Sequence, residues 1–146
     1  MGFETWTAVF TLADVQDAPE EVAASINGFI GAELQRRIRP LLIQKGWGFE
    51  EAVAEDHGWH ASAALDDAGK RITAGFITGP ELEATPDGRA QDDRWRVVIG
   101  LNIGLFSKTK ARRIGLMTRL ARDVDEACRT LGATDIEWEN GALGAD

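Results

Sequence analysis

Six basic side chains stand between Ser107 and Arg122 with no acid among them: Lys108, Lys110, Arg112, Arg113, Arg119 and Arg122. The chemistry such a strip offers is the holding of an anion. On a helix turning 100° per residue, Lys108, Arg112, Arg119 and Arg122 fall within about 80° of one another and form one stripe. If Ser107 caps that helix, Lys108 and Lys110 stand beside its free backbone N–H groups, where a phosphate or carboxylate is readily held. Asn102, at the end of the preceding segment, would orient the ligand. The spacing is not that of a nucleotide phosphate loop, because Asn102 and Ser107 occupy the positions where that loop requires glycine ahead of Lys108-Thr109. The competing reading is a solvated outer helix face, which is usually charged.

Other chemistry is sparse. Glu55-Asp56-His57-Gly58-Trp59-His60 is the one place where imidazoles and carboxylates crowd together, but two histidines three apart, with no third distant histidine and no available cysteine, make a weak metal set. A turn at Asp56 with Trp59 anchoring a hairpin accounts for the same residues. The lone cysteine, Cys128, cannot form an internal disulfide and falls on the apolar side of a predicted helix, so a buried thiol is expected there. Ser62 has no nucleophile context. No catalytic residue, metal site or cofactor is therefore assigned.

The charge balance carries more. The chain holds 24 Asp and Glu against 16 Lys and Arg, a formal net charge of -8. Setting the six cations of the strip aside leaves 10 Lys and Arg against 24 acids, a balance of -14, so a basic strip rides on an acidic body. An acidic surface steers a basic protein partner into a fast complex. The run Glu50, Glu51, Glu55 and Asp56, with Trp47 and Trp59 as aromatic anchors, is the candidate surface. Nucleic acid fits poorly, because the body repels it and no aromatics interleave with the strip. A homodimer in which the basic helix of one copy meets an acidic loop of another is a further expectation.

The elements that must position these groups follow from apolar periodicity. Residues 3–12 alternate as a half-buried strand, with Trp6, Ala8, Phe10 and Leu12 on one side. Asp17, Pro19 and Glu20 resemble a helix start, and Val22, Ile26, Phe29, Ile30, Leu34 and Ile38 supply one stripe of a single helix that Pro40 ends or kinks. Gly28 and Gly31 weaken that helix and mark close packing. Residues 41–55 read as a helix tail and then a loop around the flexible Gly46-Trp47-Gly48. Trp59 to Leu65 and Ile72 to Phe76 form a hairpin, residues 79–93 a polar mobile loop, and Trp95 to Ile103 the cleanest strand. A second long helix from Ser107 would bury Met117, Leu120, Ala121, Val124, Cys128 and Leu131 and stop at Gly132. Ile136 and Trp138 mark a short last strand, and residues 139–146 a frayed tail.

The order strand, helix, hairpin, strand, helix, strand predicts one α+β domain spanning residues 1–146: a two-layer sandwich of about five mostly antiparallel strands with two long helices on one face. No secretory signal and no stretch near the roughly 20 apolar residues of a membrane helix are present, so the expectation is a cytoplasmic protein. The leading functional expectation is a small acidic non-catalytic module that binds a protein partner, immunity- or antitoxin-like. The alternative is a small anionic-ligand or nucleotide-binding protein or enzyme, with its site at the Ser107 helix start.

Overall fold

Alternating apolar residues organise one face of a six-stranded sheet. The computed structural model describes residues 3–24, 29–55, 58–67, 70–102 and 110–139. In chain order these form β1 (Phe3–Thr11), α1 (Pro19–Ala24), α2 (Ala32–Gln44), β2 (Val53–Glu55), β3 (Gly58–Asp67), β4 (Lys70–Pro80), β5 (Arg94–Asn102), α3 (Lys110–Thr130) and β6 (Thr134–Trp138). The strand order is β2-β3-β4-β5-β1-β6, and every pairing is antiparallel. This is the expected two-layer α+β sandwich, with one more strand than expected, the three-residue β2.

The register explains the layers. Ala61, Phe76 and Ile99 line up across β3, β4 and β5 and are buried, as are Ala63, Ala74 and Leu101 in the next row. Their neighbours one residue along, Ser62, Gly75, Gly100 and Thr5, fall on the other face. α2 rests on β3 and β4, α3 rests on β5, and the two helices touch, so both long helices lie on the apolar face. α3 buries Met117, Leu120, Ala121, Val124 and Cys128 as expected. No described helix is long and apolar enough to cross a membrane.

Both long helices end in the same way. Gly46 (φ +99°) and Gly132 (φ +100°) adopt the left-handed conformation. The next residue's N–H reaches back to a carbonyl five residues earlier, Trp47 to Leu42 at 3.1 Å and Ala133 to Cys128 at 3.0 Å. Trp47, read from its glycine neighbours as part of a flexible stretch, is thereby folded into the core at 1% exposure. Pro40 lies within α2 rather than at its end, and it faces solvent. The helix continues past it because Leu42 is fully buried and the Gly46 turn bonds its last carbonyls.

The first helix differs more from expectation. The stripe from Val22 to Ile38 is broken into α1 and α2, with Gly31 (φ +142°) immediately before α2. Ile26 and Gly28 lie outside the described residues. Asp17 does not cap the helix that follows it. Its carboxylate, 1% exposed, accepts N–H bonds from Gly31 (2.9 Å), Ala32 (3.0 Å) and Glu33 (3.0 Å), and so caps α2. At α1 a carboxylate instead reaches back from Glu21, whose Oε1 accepts the Ala18 N–H at 3.4 Å. Gly31 is required because a Cβ there would stand 2.2 Å from the Thr78 carbonyl oxygen.

The polar segment 79–93 extends the β4–β5 hairpin. Glu81 N–H bonds to the Arg94 carbonyl (3.0 Å), Gln91 to Glu83 (2.8 Å), and Ala84 bridges Ala90. Its tip is tied to the β1–α1 connection by Asp17 N–H donating to the Gly88 carbonyl at 2.9 Å. Polar composition marked an exposed segment but did not reveal its backbone pairing.

Two substitutions test this arrangement. Asp17→Ala removes a buried acceptor of three N–H groups and should cost about 2–4 kcal/mol in urea unfolding. Gly31→Ala should cost more than about 2 kcal/mol, because the backbone must move away from Thr78. A midpoint unchanged by either substitution would contradict the capping geometry.

Candidate functional site

α2 presents Ala32, Gln35, Arg36 and Arg39, a set spaced at steps of three and four, toward the β2–β3 edge of the sheet. Glu21 of α1 closes one side, Glu51 and Ala52 lead into β2 on another, and Trp59 of β3 forms the floor of a cavity of ≈ 170 Å³. The site therefore lies where the capped start of α2 meets the edge hairpin.

Its polar groups divide into satisfied and unsatisfied. Arg36 is held by Glu21 and Glu33, and these carboxylates raise its pKa against the opposing effect of burial. Arg37 pairs with Glu33 at 2.9 Å. Arg39 donates its Nε to the carbonyls of Phe49 (2.9 Å) and Glu50 (3.0 Å), which clamps the segment before β2 onto α2. Among the described residues its terminal amino groups have no partner. Thr78 Oγ donates to the Gly31 carbonyl at 2.8 Å and lies 3.4 Å from the Trp59 carbonyl.

Two atoms stand out. Gln35, 2% exposed, donates its Nε2 to the Trp59 carbonyl at 3.1 Å, and this fixes the orientation of its amide. Its Oε1 is buried without a partner, and so is the indole Nε1 of half-buried Trp59. Each orphaned group carries a desolvation cost of about 1–3 kcal/mol.

Of the residues expected to contact a partner, Glu51 and Trp59 meet at this cavity. Glu50, Glu51 and Glu55 are exposed along the same sheet edge, and none is paired with a cation among the described residues. Asp56 lies outside the described residues. Trp47 is in the core, with its Nε1 donating to Asp123 Oδ2 at 2.7 Å.

Of the basic strip, neither Arg119 nor Arg122 lines this cavity. Ser107 and Lys108 lie outside the described residues, while Asn102 ends β5, and Lys110 and Arg112 stand in the first turn of α3. Arg119 is a brace between helices. Its guanidinium lies 4.7 Å from the centre of the Trp47 ring, donates to the Lys45 carbonyl at 3.3 Å and sits 4.0 Å from Asp123. Arg122 is exposed. His60 projects from the opposite sheet face, with its Nε2 over Gly75, 2.8 Å from where a Cβ would stand.

Gln35, Arg36 and Arg39 were not singled out from the sequence. The usable signal was Gln35 itself, a polar residue three before Ile38 and seven before Leu42, and so inside an otherwise apolar stripe.

Cys128 belongs to the core. Burial pushes its thiol up to about 12, with the Asp125 charge adding to the shift and Arg129 opposing it. Below the ordinary thiol value of 9.0 the group is protonated in both folded and unfolded chains, so it adds no pH dependence there. As pH rises from about 9 toward 12, the unfolded chain loses its proton while the folded one keeps it, and stability falls. At pH 8 a thiol reagent should label native protein only as fast as the fold opens, whereas the urea-unfolded chain should react at once. Prompt labelling of native protein would place the thiol at the surface. Compared with known protein families, curated proteins and solved structures, the chain has no match.

Proposed function

We propose that this protein is a non-catalytic cytoplasmic interaction module that binds a basic protein partner, with an immunity- or antitoxin-like role as its concrete form. The observation that supports this reading is the uncompensated acidic edge. Among the described residues, the carboxylates of Glu21, Glu33, Glu81, Asp123, Asp125 and Glu126 each pair with a basic side chain, whereas those of exposed Glu50, Glu51 and Glu55 do not. These three flank Val53, an apolar side chain that is 54% exposed. A partner bringing cations to this edge recovers charge pairing at little desolvation cost, because the carboxylates sit at a solvated rim.

A second copy of the chain is an alternative basic partner, since exposed Arg122 stands on α3. Light scattering at low and high salt distinguishes it from a foreign one. The anionic-ligand or nucleotide alternative draws on the acid-free strip between Ser107 and Arg122. Anion binding that survived charge reversal of Lys108 and Arg112 would remove that alternative.

The main reading is tested by the double variant Glu50→Lys/Glu55→Lys, which spares the cavity lining. Association with the captured partner should slow by about tenfold or more at low ionic strength, and the difference should shrink at high salt. An association rate indifferent to both the variant and the salt would sink the proposal.

A further inference from the structure

We propose that β3, beyond Ser62, accepts an extended basic segment of a protein partner as an added strand. β3 runs for ten residues, but β2 covers only its start, where Val53, Ala54 and Glu55 pair with His60, Trp59 and Gly58. One further bond, from the Glu50 N–H to the Ser62 carbonyl at 2.9 Å, closes the covered part. Ser62 thus turns its carbonyl to the open side. Backbone groups alternate sides along a strand, so Ala64 and Asp66 turn theirs the same way, while Ala63 and Leu65 turn theirs to β4. Among the described residues nothing bonds the outward N–H and C=O groups of Ala64 and Asp66, and both residues are exposed.

Sheet edges are normally guarded by a bulge, a proline or a lysine. The opposite edge, β6, has such a guard: its register on β1 shifts between Val9 and Thr11, and Asp135 stands at φ +54°. The open stretch of β3 has none. Its register with β4 is unbroken from Trp59 on Thr78 to Asp67 on Lys70, and residues 63–67 include neither proline nor lysine. Roughly 16 Å of regular strand, at about 3.3 Å per residue, is therefore open to pairing.

Charge selects the occupant. Edge-to-edge pairing with a second copy would bring the acids of two identical edges together, and like charges on opposed strands are destabilising. A foreign basic segment instead meets Glu50 and Glu51, whose carboxylates have no cation among the described residues. The two faces of β3 set its pattern. Buried Ala63 and half-buried Leu65 belong to the apolar layer, and exposed Ala64 and Asp66 to the other face, so apolar and basic residues should alternate. The occupant is the basic partner already proposed for the acidic edge, so the added strand rests on that reading and gives the contact its form.

The probe is a blocked heptapeptide alternating lysine and valine, followed by the backbone amide signals in a nitrogen–proton NMR spectrum. It should move the Ala64 and Asp66 signals saturably, with a dissociation constant on the order of 0.1–1 mM. At saturation it should slow hydrogen exchange at both amides by about tenfold or more. A heptapeptide alternating glutamate and valine should do neither. Ala64→Pro removes an N–H that points away from β4, so the ladder between β3 and β4 is kept, and peptide binding should weaken by about tenfold or more. The exchange measurement on the unaltered protein decides the matter even if that variant does not fold.

Ala64→Pro leaves every acid in place, so the two readings fail separately. Signal movement confined to Glu50, Glu51 and Glu55, without slower exchange at Ala64 and Asp66, would overturn the added strand and leave the acidic-edge reading standing. Equal peptide affinity in Glu50→Lys/Glu55→Lys, with exchange still slowed, would sink the acidic-edge reading and keep the strand contact. Exchange that slows at these amides on raising protein concentration without peptide would make the occupant a second copy and overturn the proposal. So would the absence of any slowing up to about 5 mM peptide.

Discussion

The Asp17 carboxylate governs how this fold is assembled at the end that carries the cavity. A helix begins with N–H groups that no residue within the helix can satisfy, and at α2 three consecutive ones, from Gly31, Ala32 and Glu33, converge on a single buried side chain. That side chain comes from the connection after β1, fourteen residues upstream of Gly31. The same residue's backbone N–H is tied to Gly88 at the tip of the extended β4–β5 hairpin. One residue therefore fixes the entry of α2, the exit of β1 and the lie of a long hairpin arm. A buried negative charge is tolerable here because it accepts three N–H bonds at the positive end of a helix dipole.

The cavity inherits its geometry from that cap. With the start of α2 fixed, Gln35 arrives one turn later opposite β3, where its amide NH2 meets the Trp59 carbonyl. Thr78 closes the contact from β4 by donating to the Gly31 carbonyl. The approach is so close that neither Gly31 nor Gly58 leaves room for a Cβ, which would come within 2.2 Å and 2.1 Å of the Thr78 carbonyl oxygen. Helix and sheet are thus locked through backbone at one end. The polar atoms left over, Gln35 Oε1 and Trp59 Nε1, are held where local rearrangement cannot easily satisfy them.

The layers were legible because apolar side chains repeat at two in strands and at three and four in helices. The inner face of α3 and the alternation of β5 follow directly from that rule. The helix break before α2 was not legible, since Ile26, Phe29, Ile30 and Leu34 continue a helical period across it. What interrupts the helix is the approach of Gly31 to Thr78, a contact 47 residues apart in sequence. β2 is too short for a period to show, and the role of Gly46 as a helix terminator looked like flexibility because glycine serves both ends. The acidic part of the site was visible as composition. The orphaned atoms were not, because a polar residue inside an apolar stripe signals burial but not whether its partners are complete.

Charge shows a division of labour that composition alone concealed. Arg119, read as part of an unpaired basic strip, is engaged by Trp47, Asp123 and the Lys45 carbonyl, and Lys45 in turn pairs with Glu126 at 2.5 Å. These contacts join the end of α2 to α3, and each exposed pair contributes little on its own. Their value is geometric, since they hold Trp47 over the core and fix the far end of the helix whose near end Asp17 caps. Among the described residues, the carboxylates of the β2 edge belong to no such arrangement. Removing them from the stability argument changes nothing in the fold, whereas their field reaches into solvent about a Debye length, about 8–10 Å at ordinary salt. Charges that neither brace the structure nor cancel one another act on whatever approaches, and here one of them, Glu51, also lines the cavity beside α2.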